Sequence, residues 1–154
     1  MKTYQVTVCD NKRVEWRFEG LLHREDGPAV EFVNGSKYWY LNGELHRENG
    51  PAIEDANGNK EWRFNGELHR EDGPAVIEPN GSKEWYINGE LHREDGPAIE
   101  DPDGSKFWYL NGIEMPEQEH FLKTRAKKTC LILEGKEIEI SDETVKDIKE
   151  SLGL

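Results

Sequence analysis

The chain is 154 residues long, which suits one domain or a repeat array with a small cap. Hydrophobic and charged residues each make up 34%, too little apolar material for a thick globular core, while five Trp, five Tyr and five Phe exclude a disordered chain. A formal net charge of −12 disfavours direct contact with nucleic-acid phosphates or anionic membrane and suits a protein partner with a basic surface.

Residues 1–13 alternate rather than run apolar. Tyr4, Val6 and Val8 share one face of an expected N-terminal capping strand. This is not the pattern of a signal peptide, and no later stretch reaches transmembrane length. A cytoplasmic location is therefore expected. Cys9 and Cys130 lie near opposite ends of the chain and give no disulfide framework.

Residues 14–112 are a tandem array. Trp16, Trp39, Trp62, Trp85 and Trp108 are each separated by 23 residues. His23, His46, His69 and His92 keep the same step, each within Leu-His-Arg, and a Gly-Pro-Ala follows each time. Two turn signals recur per unit, one at Asn42, Asn65, Asn88 and Asn111, the other at Asn34, Asn57, Asn80 and Asp103, all followed by Gly. A period kept without insertion is structural, because one added residue would reverse the face of every later side chain. Each unit reads as a hairpin: a strand such as Lys37–Leu41, a tight Asn-Gly turn, a return segment, and a kink at Gly-Pro where the backbone loses a donor. The predicted fold is mostly β, an elongated single-layer antiparallel sheet of stacked 23-residue hairpins.

Alternation divides the strand residues between two faces. The tryptophans, with Phe18, Leu41, Phe64, Ile87 and Leu110, form a uniformly apolar face, read as the buried seam. The other face varies from unit to unit. Its Tyr38, Tyr40, Arg63, Glu84, Tyr86, Phe107 and Tyr109 are the candidate partner-binding residues, since a repeat array tolerates variation on a face that does not hold the stack.

Residues 113–154 change character. Pro116 opens an expected helix with Glu117 and Glu119 early and basic residues late. Cys130–Leu133 and Glu137–Ile140 flank a short turn, and Ser141 caps a second helix with Val145, Ile148 and Leu152 on one stripe. The prediction is a small α+β cap of helix, hairpin and helix.

The repeated polar residues point to structure rather than catalysis. Two strands per unit place equivalent histidines roughly 10 Å apart, whereas zinc holds its ligands at about 2 Å. No metal and no cofactor are expected. Each His-Arg pair is read as tying the kink, His to a backbone carbonyl and Arg to a carboxylate or carbonyl. Glu25-Asp26, Glu71-Asp72 and Glu94-Asp95 are adjacent in a turn, not opposed across a cleft as glycoside hydrolysis requires. Phosphate loops and dinucleotide fingerprints are missing, so no catalytic residue is assigned and an enzyme is not expected.

Asn-Gly-Glu-Leu-His-Arg-Glu-Asp-Gly-Pro-Ala followed by Asp-Gly-Ser-Lys-Phe-Trp-Tyr resembles the MORN-variant repeats of bacterial and bacteriophage proteins. The likeness covers about residues 14–112. An ordinary MORN repeat has Gly after His where this chain has Arg. The resemblance implies stacked hairpins in a twisted sheet and a role in protein contact, and such proteins are often of antitoxin or immunity type. It places the chain in the bacterial host cytoplasm if phage-encoded. The leading expectation is a non-catalytic inhibitor that neutralises a bacterial toxin or defence protein. Two others stand beside it: an acidic nucleic-acid mimic blocking a protein such as a CRISPR effector, and a structural scaffold that self-associates through a sheet edge.

Overall fold

The computed structural model describes residues 3–9, 13–125, 129–133, 136–140 and 150. It falls into two compact units, Met1–Glu114 and Met115–Leu154.

The first unit is built on one long antiparallel sheet that does not close. Its strands follow in order: Gln5–Val8, Val14–Phe18, Val30–Glu31, Lys37–Tyr38, Ile53–Glu54, Lys60–Glu61, Val76–Ile77, Lys83–Glu84, Ile99–Glu100, Lys106–Leu110 and Ile113–Met115. A mostly β architecture of repeated hairpins is therefore present, as the 23-residue period predicts. The capping strand pairs Val6 with Trp16 and Val8 with Val14, and its own residues are exposed.

The expected continuous strand Lys37–Leu41 breaks at its tryptophan. Lys37–Tyr38 belongs to the long sheet, while Tyr40–Leu41 pairs with Glu44–Leu45 in a separate short hairpin. Trp39 serves both: its N–H donates to the Ala52 carbonyl at 2.8 Å, and its carbonyl accepts from His46 N–H at 3.0 Å. The short hairpins are then bonded to one another. Arg24 N–H donates to the Tyr40 carbonyl at 3.0 Å and Gly43 N–H to the Leu22 carbonyl at 2.8 Å. The same two bonds recur down the array, as Arg70 to Tyr86 and Gly89 to Leu68. Each unit thus contributes to two parallel ladders, and its tryptophan backbone is where the chain passes from one to the other.

The two turns of a unit differ. Asn42 and Gly43 both have positive φ, 53° and 88°, the conformation of a two-residue hairpin turn. At the other turn only Gly35 is left-handed, at 94°, and the Asn34 side chain accepts from Ser36 N–H at 3.0 Å. Glu19 occupies the first turn of the first unit with φ 51°, the one such position in the array where Asn is replaced.

Burial follows small residues rather than large ones. Ala29, Ala52, Ala75 and Ala98 are 0% exposed, with Val30 and Val76 beside them. The tryptophans are half-buried, so the seam read from the sequence is only partly covered. Along the sheet, Val30, Ile53, Val76 and Ile99 alternate with Glu15, Tyr38, Glu61, Glu84 and Phe107. The adjacent row pairs Glu31 with Lys37, Lys37 with Glu54, and Glu54 with Lys60, opposite charges directly across from each other. Serines stitch neighbours: Ser36 Oγ accepts from Ala56 N–H at 2.9 Å, and Ser82 Oγ donates to Asp101 at 2.6 Å.

The second unit contains the helix Glu117–Arg125, with Glu117 and Glu119 in its first turn and an Lys123–Glu119 ion pair at 2.8 Å. A hairpin of Thr129–Leu133 and Lys136–Ile140 follows. The second predicted helix, from Ser141, lies outside the described residues except for Glu150, which is helical.

Because Ala52 is fully buried where the chain is bonded to Trp39 and to Glu61 of the next unit, Ala52→Leu should overpack the junction and lower stability by about 1–3 kcal/mol, read as a lower urea midpoint. Ala56→Leu, at an exposed turn, should change it little.

Candidate functional site: the arginine-capped groove

The Leu-His-Arg-Glu-Asp-Gly-Pro-Ala segment forms a loop whose arginine folds back over the tryptophan of its own unit. Arg24 lies 4.2 Å from the Trp16 ring centre, Arg47 3.8 Å from Trp39, Arg70 4.0 Å from Trp62 and Arg93 4.0 Å from Trp85. A guanidinium at this distance from an indole face is attracted by the ring quadrupole, worth about 0.5–2 kcal/mol. The loop fixes it from the other side. Arg70 Nε donates to Asp72 at 2.7 Å and its Nη1 to the Pro74 carbonyl at 3.2 Å. Arg47 and Arg93 also reach Glu54 and Glu100, at 2.7 and 2.9 Å. Beside Arg24 and Arg70, the carboxyls of Asp26 and Asp72 are held below their usual range. The aspartate thus binds its arginine rather than only shaping the turn.

The glycine before proline makes room for this guanidinium. A Cβ on Gly27, Gly50, Gly73 or Gly96 would lie 2.9–3.1 Å from the arginine Cζ. Only Gly50 also has positive φ, at 135°.

The histidine contact differs from expectation. His23 Nδ1 accepts from the backbone N–H of Asn42, 3.0 Å away, when the imidazole proton is on Nε2, and faces the Asn42 side-chain Oδ1 at 2.9 Å, to which it donates when Nδ1 carries the proton. His46 with Asn65, His69 with Asn88 and His92 with Asn111 repeat the clasp. The left-handed Asn turns its N–H outward from the next hairpin, which is why the partner is a donor in the following unit and not a carbonyl in the same loop. Among the described residues no group of three or more His, Cys, Asp or Glu is placed to hold a metal ion.

Two of the gaps between successive loops form grooves. One, of about 470 Å³, has Trp39, Leu41 and His46 along it and the loops at Arg24 and Arg47 as walls. An equivalent one two units on, of about 590 Å³, has Trp85, Ile87 and His92 between the loops at Arg70 and Arg93. Its charged lining is two guanidiniums against four carboxylates, Glu71, Asp72, Glu94 and Asp95.

The candidate partner-binding residues lie elsewhere, and most of the polar ones are engaged with neighbouring carboxylates. Arg63 Nε donates to Glu61 at 2.7 Å, and Tyr86 hydroxyl donates to Glu84 at 2.9 Å. Tyr38 hydroxyl donates to Asp55 at 2.8 Å and Tyr109 to Glu114 at 3.1 Å. Tyr40 is half-buried, which raises its hydroxyl pKa, and Phe107 is 38% exposed. The Arg63 charge acts on both Tyr40 and Tyr86, so these members share one neighbourhood. At the start of this face, burial pushes Glu15 up, but Arg17 and Arg13 outweigh it and hold the carboxyl below its ordinary value. The groove residues were missed in the sequence. Their signal was the constant eight-residue offset from each Trp to its Arg.

Neither a protein-family model nor a curated protein matches this chain.

Gly73→Ala keeps an allowed backbone but crowds the Arg70 guanidinium. It should lower stability by about 1–2 kcal/mol, as should Arg70→Ala, measured by urea denaturation. The double variant should cost little more than Arg70→Ala alone, since the crowded group is gone. A second outcome concerns tyrosines. Burial, then the Glu84 contact, pushes Tyr86 up to about 12, and burial with Asp55 does the same for Tyr38. Folded values above the ordinary value near 10 mean that this contribution is full below pH ~10 and is lost as pH rises toward ~12. Tyrosinate absorbance should show a late phase that shrinks in Tyr38→Phe and Tyr86→Phe.

Proposed function

We propose that this chain is a non-catalytic protein-binding module of inhibitor, antitoxin or immunity type, which neutralises a bacterial toxin or defence protein. The observation that carries this reading is the repetition itself. The array sets out the same arginine-capped loop four times along a single sheet, at a fixed step, with equivalent grooves at Trp39 and Trp85. A reaction needs different groups converging on one centre, whereas a repeated surface multiplies contacts with an extended partner. The likeness of the repeat to MORN-variant proteins supports the same reading, as does the acidic balance, which favours a basic partner and speeds its association. The nucleic-acid mimic fits less well, because every loop carboxylate pair is interleaved with a guanidinium.

The test uses the full chain immobilised and exposed to nuclease-treated bacterial lysate. One protein should be retained in stoichiometric amount and should lose its own activity as the chain is added back. Recovery of no stoichiometric protein, or of one whose activity is untouched, would overturn the proposal.

A further inference from the structure

We propose that the tryptophan-side grooves form a track for an extended basic segment of a protein partner, with Lys or Arg at every third residue. This rests on the protein-binding reading above and moves the contact from the variable face to the loop face.

The charge at the grooves is layered. The guanidiniums lie inward and are already paired: the side chains of Arg70 and Arg93 are each 21% exposed and bound to Asp72 and Asp95. Outside them stand carboxylates. Asp72 and Asp95 are 84% exposed and Glu71 is 86% exposed. An incoming group therefore meets negative charge first and an apolar floor of Trp85 and Ile87, or Trp39 and Leu41, below it. That sequence of environments fits a long basic side chain, whose methylenes cover apolar surface while its head stays with the carboxylates. It repels phosphate and opposes burial of a purely apolar segment.

Spacing selects the segment. Each unit adds two strands to the long sheet, so equivalent loops, each with its rim carboxylate, step by roughly 10 Å per repeat. A polyproline-like chain rises about 3.1 Å per residue with three residues per turn, which returns a side chain to the same side every ~9 Å. A β-strand returns one every ~6.6 Å and falls out of step after one loop. The rim carboxylates Glu25, Glu48, Glu71 and Glu94 follow that step in sequence, one per unit.

The test compares labelled peptides with equal numbers of arginines placed at every third or every second position, bound to the full chain and followed by fluorescence anisotropy. The every-third peptide should bind about tenfold more tightly, weaken as salt rises, and lose about tenfold on combined Glu25→Gln, Glu48→Gln, Glu71→Gln and Glu94→Gln. An unchanged urea midpoint confirms that this variant is folded; the comparison between peptides needs no variant at all. Equal affinity for the two spacings, or binding indifferent to the four substitutions, would overturn the track. The two proposals separate on the captured protein. If the fourfold variant still retains it stoichiometrically, the track fails while the protein-binding reading stands. If the every-third peptide binds as described but lysate yields no partner, the reverse holds.

Discussion

The guanidinium stacked on an indole is the contact on which each of the four Leu-His-Arg loops depends. It fixes up to three things at once. The arginine covers the half-buried tryptophan, its Nη1 ties down the proline carbonyl, and its Nε holds the aspartate in the three loops that have one, Asn49 standing in its place beside Arg47. Take the arginine away and the loop loses its internal anchor, while a flat aromatic surface is exposed to water. The same contact favours the glycine, since a Cβ there would come within 2.9–3.1 Å of the guanidinium carbon and push it off the indole. Four residues of the repeated motif are thereby explained by one packing event.

The clasp between His and Asn works at a different scale. Each histidine reaches 19 residues ahead, into the next hairpin, and the backbone bonds from Arg24 to Tyr40 and from Gly43 to Leu22 run the same way. Within-unit contacts are therefore set by Arg and Trp, and between-unit contacts by His, Asn and the hairpin backbone. Such an array has stability that is roughly a sum of unit terms and nearest-neighbour terms. The buried alanines sit at the join of the two ladders, where the chain is bonded to its own tryptophan and to the next unit.

Much of this was legible in the residues. The exact recurrence of Trp, His and Gly-Pro-Ala gave the repeat length, and Asn42-Gly43 gave the hairpin turn with both left-handed residues. The helix after Pro116 and the pairing of Thr129–Leu133 with Lys136–Ile140 were also readable, one from its charge order and the other from alternation. What alternation could not reveal was the break at Trp39. A period of two runs straight through a residue that changes ladders, because its side chain keeps phase while its hydrogen bonds change partner. The site was less legible for the same reason. Sequence variability drew attention to Tyr40, Arg63 and Tyr86, yet side chains that vary together can do so because they satisfy one another, as Glu61 and Arg63 do. The repeated loop reads as structural, but its outward carboxylates and the grooves between copies depend on how far successive loops stand apart, a distance no local pattern encodes.

The clasp from His to Asn carries a last implication. Asn42 of one hairpin meets the histidine of the hairpin before it, and Asn65, Asn88 and Asn111 repeat the same relation. The array thus has a grammar with direction: the copies that hold Asn42, Asn65 and Asn88 each meet a histidine behind and an asparagine ahead. Excising or duplicating one such whole copy would leave each surviving clasp with a proper mate, so the length of the array is free to drift by whole copies.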